Sequence, residues 1–150
     1  MGDFLGSGAF GEVRKCRHTD TDAEFAIKVM KKTMIDKRKV FFELLQNELA
    51  ILGSKSHPKI IRIVDLMEDK KNYYVVSEIV EGGELFKRLC QLESFTEEQA
   101  ANIIQQVMLG LNYLHNQNIT HRDMKPENIL LVSKDLKDFD VKISDLGFAQ

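Results

Sequence analysis

Residues 121–128 have the sequence HRDMKPEN, which places five ionisable groups, a proline and an amide within eight positions. Such a density of polar groups is typical of a site rather than of a connecting loop. The carboxylate of Asp123 can accept a proton from an attacking hydroxyl or orient that hydroxyl. Lys125 can balance phosphate charge, and the amide of Asn128 can bind a metal ion. This segment is therefore the first candidate for chemistry.

A glycine-rich segment, GSGAFGEV, occupies residues 6–13. Glycines let a backbone approach phosphate oxygens closely, and their N–H groups can point at an anion. An ordinary glycine-rich hairpin explains the pattern about as well. A dinucleotide-binding fold would need a helix directly after the glycines, whereas residues 11–16 alternate weakly, as a strand does.

Lys28 lies within a short apolar run, residues 24–30, that predicts a strand. Residues 36 to about 54 predict a helix, and Glu48 falls on its apolar face. An unpaired charge is costly in either place, so an ion pair between Lys28 and Glu48 would satisfy both side chains. A solvated lysine on a half-exposed strand is the alternative.

Asp145 is followed by Leu146 and Gly147, directly after a strand-like segment. A carboxylate at a strand end beside glycine can coordinate Mg²⁺. The same tripeptide could equally form a turn.

The remaining pattern predicts strands over residues 60–66 and 73–79, a short helix from Glu84 to about Leu92, and a long helix opened by Thr96. Gln99, three residues after Thr96, completes a capping box. The apolar stripe expected on this long helix consists of Ala100, Ile103, Ile104, Val107, Met108, Leu111 and Leu114.

Four motifs follow one another in a fixed order: the glycine loop, AIK at 26–28, HRD at 121–123 and DLG at 145–147. In this order they resemble the signature set of protein kinases. The whole chain is similar to the calcium/calmodulin-dependent and calcium-dependent group of serine/threonine kinases. The resemblance implies an α+β fold with a sheet lobe and one helix over residues 1–79, a hinge at 80–83, and an incomplete helical lobe over 84–150.

The resemblance also implies a role for each matching residue. Lys28, oriented by Glu48, would hold the α- and β-phosphates of ATP, and Asp123 would be the catalytic base with Lys125 touching the γ-phosphate. Asn128 and Asp145 would hold Mg²⁺. The other nucleotide-binding positions implied are Gly6, Ser7, Gly8 and Gly11 over the phosphates, Val13, Ala26 and Leu130 around adenine, Glu78 and Val80 at the hinge, and Glu84.

Protein substrates carrying serine or threonine are the implied partners. Glu84 and Glu127 would favour basic residues upstream of the target. Regulation by calcium or calmodulin would need regions absent from these 150 residues. Because the sequence ends three residues after Gly147, before an activation segment, the expectation for this chain alone is little or no activity. A nucleotide-binding or scaffolding remnant is the alternative.

Composition excludes several classes of function. Hydrophobic residues make up 43% and charged residues 29%, a balance typical of a globular protein, and the net charge of -2 gives no electrostatic reason to bind nucleic acid or membrane. Cys16 and Cys90 lack metal-type spacing, so reduced thiols and a cytoplasmic location are expected.

Overall fold

The computed structural model describes residues 2–8, 11–35 and 57–145. The chain divides into two compact units, one formed by Met1–Lys55 with Arg62–Ile79 and the other by Ser56–Ile61 with Val80–Gln150. The helix predicted over residues 36–54, which carries Glu48, lies outside the described residues.

The first unit contains a five-stranded antiparallel sheet. Its strands are β1 (Phe4–Gly8), β2 (Gly11–Arg17), β3 (Glu24–Lys31), β4 (Ile63–Glu68) and β5 (Asn72–Ser77), in the order β1-β2-β3-β5-β4. A single helical turn, α1 (Lys32–Ile35), follows β3. Met30 and Tyr73, directly opposite each other on β3 and β5, are buried together. Because successive side chains of a strand point to opposite faces of the sheet and directly opposed residues share a face, Met30 and Tyr73 are buried on one face of the sheet.

The second unit combines helices with a small sheet. Its elements are β6 (Gly83–Glu84), α2 (Leu85–Leu92), α3 (Glu97–Asn116), a 3₁₀ turn (Pro126–Asn128), β7 (Ile129–Leu131) and β8 (Val141–Ile143), with the sheet order β6-β7-β8. Its buried cluster consists of Leu85, Ile103, Val107, Ile129, Leu131, Phe139, Val141 and Ile143. Glu84, at which the short helix was expected to begin, ends β6 and is also the N-cap of α2. None of the helices described is both long and apolar enough to cross a bilayer.

Helix α3 begins with the predicted capping box. The Gln99 N–H donates to Thr96 Oγ1 at 3.2 Å, and the Thr96 N–H donates to Gln99 Oε1 at 3.0 Å. The predicted apolar stripe is wrong at Ile104 and Met108, which are 59% and 58% exposed.

The buried face of α3 is instead centred on Ile103, Gln106, Val107, Gly110 and Leu114. Gly110 belongs to this face because a Cβ there would lie 2.8 Å from Ile143 Cδ1. The helix therefore approaches β8 closely at Gly110, and the face that contains Gly110 is the one buried against β8.

Residues 57–61 differ from the expected strand and from the expected lobe boundary. The strand predicted over 60–66 begins only at Ile63. Ile60 forms a parallel bridge with Ile143, and the Ile61 N–H donates to the Ile143 carbonyl at 2.8 Å. The segment thus lies against β8 of the second unit, because its backbone groups find partners there.

Candidate active site

His121 anchors the loop between α3 and the 3₁₀ turn. Its side chain is 1% exposed, with Nε2 2.9 Å from the carbonyl of Ser144 and Nδ1 3.3 Å from the N–H of Asp123. Since Nδ1 accepts from a backbone N–H, the proton of the neutral ring belongs on Nε2, which donates to Ser144. This tautomer ties Asp123 to the segment that follows β8.

Asp123, Lys125 and Asn128 form one hydrogen-bonded cluster. Lys125 Nζ lies 2.9 Å from Asp123 Oδ2, and Asn128 Nδ2 donates to the same oxygen at 3.0 Å and to the Asp123 carbonyl at 2.7 Å. The 3₁₀ turn brings these side chains together, since the Asn128 N–H donates back to the Lys125 carbonyl. The carboxylate of Asp123 is therefore oriented from two sides.

These contacts stabilise the charged forms of both Asp123 and Lys125. The hydrogen bond from Lys125 lowers the pKa of Asp123, and the bond from Asn128 acts in the same direction against partial burial. The pKa of Lys125 is raised, chiefly by its bond to Asp123, with added attraction from Glu127 and Asp145. At neutral pH the cluster holds a carboxylate and an ammonium side by side.

Asp145 is brought to this cluster through its neighbour Ser144. Both the N–H and the hydroxyl of Ser144 donate to the Asn128 carbonyl, at 2.8 and 3.0 Å. Asp145 has a φ of 57°, and Arg122, next to Asp123, has a φ of 62°. Left-handed backbone at residues other than glycine costs energy, and it concentrates at functional sites.

Asn128 and Asp145 fit the needs of a magnesium ion. The hydrogen bonds of the Asn128 side chain use Nδ2, so Oδ1 is the atom that could coordinate a cation, and Asp145 supplies a carboxylate. No group of three or more His, Cys, Asp or Glu side chains within the described ranges is arranged to hold a metal. A site of one or two protein oxygens matches Mg²⁺, which usually takes its other ligands from water and substrate phosphates.

In the first unit, the predicted nucleotide-binding side chains share one face of the sheet. Val13 lies opposite Lys28 across β2 and β3, and Lys28 lies opposite Val75 across β3 and β5. Ala26, two residues before Lys28, points to the same face and lies opposite Ser77. Directly opposed residues of antiparallel strands have neighbouring side chains. The sheet thus presents Lys28 beside an apolar surface suited to a flat ring.

The glycine segment forms the hairpin of β1 and β2. Gly6 lies opposite Val13, Ser7 opposite Glu12, and Gly8 opposite Gly11, while residues 9 and 10 lie outside the described part. A Cβ on Gly11 would overlap the carbonyl oxygen of Val29 on β3, whereas a Cβ on Gly6 would meet nothing within 4 Å. Gly11 is thus required for packing, and Gly6 leaves its surroundings open.

In the second unit, Leu130 lies directly opposite Glu84 across β7 and β6. Ile129 and Leu131 point into the core, so Leu130 occupies the other face of the strand. Glu84 accepts from Lys87 at 3.0 Å.

The hinge residues fall on either side of the division between the units. Glu78 belongs to the first unit, where its N–H donates to the Arg62 carbonyl at 2.9 Å. Val80 begins the longer of the two segments that form the second unit.

The sequence model of the protein kinase domain family matches residues 1–150 of this chain. The chain belongs to the protein kinase family. Among relatives, death-associated protein kinase 2 of Mus musculus is 42% identical over 151 residues, covering 99% of this chain and 41% of the relative. Calcium-dependent protein kinase 4 of Plasmodium falciparum is 43% identical over 146 residues, covering 97% of this chain and 28% of the relative.

A solved structure titled "Crystal structure of Rad53 1-466 in complex with AMP-PNP" is 33% identical to this kinase chain, with a TM-score of 0.81. The match covers 98% of this chain and 37% of that one. The predicted family and the α+β kinase fold are therefore confirmed, and the chain spans less than half the length of each of these proteins. The roles of individual residues stay predictions.

Sequence reasoning missed several residues that hold the elements around the candidate site. Ser144, which ties Asp145 to Asn128, was passed over because a serine between two motifs carries no signal of its own. Lys59 and Gln106, which lie beside β8, belonged to segments without a motif. Glu48, for which a role was expected, lies outside the described residues.

Proposed function

We propose that this chain provides the ATP-binding and catalytic-loop portion of a protein kinase that transfers the γ-phosphoryl group of ATP to serine or threonine. The observation that carries the proposal is the cluster of Asp123, Lys125 and Asn128, joined through Ser144 to Asp145. Few folds need an oriented carboxylate, a cation and two metal-binding oxygens in so small a space.

In the proposed reaction, the substrate hydroxyl oxygen attacks the γ-phosphorus and the bond to the β–γ bridging oxygen breaks, which releases ADP. Asp123 orients the hydroxyl and takes its proton, and Lys125 balances charge on the transferred group. Lys28 holds the α- and β-phosphates from the sheet. Asn128 and Asp145 would hold Mg²⁺, which supplies charge neutralisation on the phosphates when bound.

Nucleotide binding with and without Mg²⁺ tests the proposal on the 150-residue chain. We expect calorimetry with AMP-PNP to give clearly tighter binding when Mg²⁺ is present. Lys28→Met should weaken binding in both conditions because a phosphate cation is lost, and Asp145→Asn should remove most of the Mg²⁺ dependence. Equal affinity of the wild-type chain with and without Mg²⁺ would contradict the proposal.

We further propose that substrates carry basic residues upstream of the target hydroxyl. Strand β6, which carries Glu84, contacts the 3₁₀ turn that carries the exposed Glu127. Two carboxylates on adjoining elements can pair with arginine. In a peptide-array profile of the protein containing this segment, Glu84→Gln with Glu127→Gln should reduce the preference for arginine. A wild-type profile without such a preference would refute this specificity.

A further inference from the structure

The outer edge of β8 is closed by two different kinds of group. One edge of this strand pairs with β7. On the other edge, the Val141 N–H donates to the side-chain Oε1 of Gln106 at 3.0 Å, and the Ile143 N–H donates to the backbone carbonyl of Lys59 at 2.8 Å. The Gln106 side chain thus takes the place that a strand residue would occupy.

Gln106 is held in a single orientation. Its side chain lies in the buried face of α3, where the whole residue is 8% exposed. Besides accepting from Val141, Oε1 accepts from Lys59 Nζ at 2.8 Å, and Nε2 donates to the Phe139 carbonyl at 2.8 Å and to Asn102 Oδ1 at 3.2 Å. Two acceptor bonds and two donor bonds fill the capacity of an amide.

Lys59 contacts both ends of β8. Its carbonyl accepts from Ile143 at the end of the strand, and its ammonium group contacts Asp140 Oδ1 immediately before the strand begins. Gly110 of α3 passes close by, since a Cβ there would lie 3.1 Å from the Lys59 carbonyl oxygen. The register of β8 is therefore fixed from the side opposite β7.

We propose that Lys59, Gln106 and Asp140 are positioning residues that set the register of β8 and, through it, the place of Asp145. The inference rests on the proposed function, in which Asp145 holds the metal. Asp145 lies two residues beyond Ile143, and a shift of β8 would carry it away from Asn128. A displacement of about 1 Å at such a site is enough to matter.

The ion pair itself contributes little stability, because the side chains of Lys59 and Asp140 are 20% and 47% exposed. Its effect is to hold the lysine head against Gln106 Oε1. Changing Lys59 to methionine keeps the aliphatic stem and the backbone bond to Ile143 but removes the contacts to Gln106 and Asp140. The change therefore tests positioning with limited loss of packing.

The test measures metal binding directly, with Mn²⁺ as the probe and AMP-PNP present, by electron paramagnetic resonance on the 150-residue chain. We expect Lys59→Met to raise the apparent Kd for Mn²⁺ roughly tenfold, the size typical for partners of metal ligands. The affinity for AMP-PNP without metal should change less than about twofold. Lys59→Arg should restore most of the metal affinity, and Lys134→Met, which breaks an exposed pair with Glu81, should behave as wild type.

Amide hydrogen exchange gives a second measurement. The Val141 and Ile143 amides should exchange faster in Lys59→Met, while thermal melting shows that the chain remains folded. Should Lys59→Met prove unfolded, Asp140→Asn is the second variant, and it should weaken Mn²⁺ binding in the same direction by a smaller factor.

Wild-type Mn²⁺ affinity in whichever of these variants is folded would overturn the inference and leave the proposed function standing. A wild-type chain that binds no Mn²⁺ with AMP-PNP would overturn the proposed function, and with it the inference.

Discussion

The contact between Lys125 and Asp123 gives one lysine two roles. In the structure it bonds to the carboxylate and lowers the pKa of Asp123. In the proposed reaction it also meets the γ-phosphoryl group, whose negative charge competes for the same ammonium. We therefore expect the carboxylate to become a stronger base once ATP is bound, because part of its stabilisation is withdrawn. In this account the substrate itself adjusts the base that acts on it.

Replacing Lys125 with methionine tests this coupling. The pKa of Asp123 should rise toward its ordinary value, though not fully, because the bond from Asn128 remains. A carboxylate with a lowered pKa stabilises the fold above its unfolded pKa, and this contribution is lost as pH falls through the folded pKa. In Lys125→Met this contribution should be smaller, and its loss should be complete at a higher pH than in the wild type. Carboxyl ¹³C NMR titration measures the midpoint, with Lys134→Met as control, and an unchanged midpoint would refute the coupling.

At the scale of the elements, the β1–β2 hairpin contains two glycines with different roles: Gly11 is needed for packing, whereas Gly6 is available for binding. A Cβ on Gly11 would strike the Val29 carbonyl, whereas one on Gly6 has open space. Gly6→Ala should therefore leave the melting temperature nearly unchanged and weaken AMP-PNP binding. Gly11→Ala should lower the melting temperature by several degrees, since about 1 kcal/mol shifts a domain of this size by a few degrees.

Thermal melting and calorimetry on both variants measure the two effects separately. Equal loss of stability in both would mean that the hairpin does not distinguish the two positions. Normal nucleotide affinity in Gly6→Ala would remove that glycine from the binding site.

Elements with local signals were predicted well, and elements set by distant partners were not. The capping box at Thr96 depends on residues three apart, so the start of α3 could be predicted. Strand β4 was placed three residues early because Ile60 and Ile61 are as apolar as true strand residues, while their partner, Ile143, lies far along the chain. Hydrophobicity alone gave no means of choosing between the two neighbours.

In the candidate site too, contacts between residues close in sequence could be predicted, and contacts between distant residues could not. The cluster of Asp123, Lys125 and Asn128 was predictable because its members lie within six residues of one another. The polar contacts around Gln106 were not, because a glutamine in a helix usually faces solvent. Its burial depends on Lys59 and Val141, which are 47 and 35 residues away.

At the scale of the whole molecule, α3 carries exposed apolar side chains beside its buried face. Ile104, Met108 and Leu109 are 59%, 58% and 51% exposed. Contiguous apolar surface of this kind promotes association between molecules in solution.

Replacing two of these residues, as Ile104→Glu with Met108→Lys, places an acid four residues before a base on one helix face, which is a favourable pair. We expect stability to change by less than about 0.5 kcal/mol and light scattering to begin at higher protein concentration. Ile103→Glu, at a position 3% exposed, is the matched control and should unfold the chain. If the double variant unfolded as well, these side chains would have to be buried.

The placement of residues 57–61 against β8 has a consequence for exchanging parts between related kinases. A chimera joined between residues 79 and 80 would take Lys59 from one parent and both Gln106 and Asp140 from the other. Such a hybrid would mismatch the edge of β8 even if each parental sheet and helix were intact. Sequences recombined in this region should therefore work best when residues 57–61 are inherited together with the catalytic loop, although more than 50 residues separate the two along the chain.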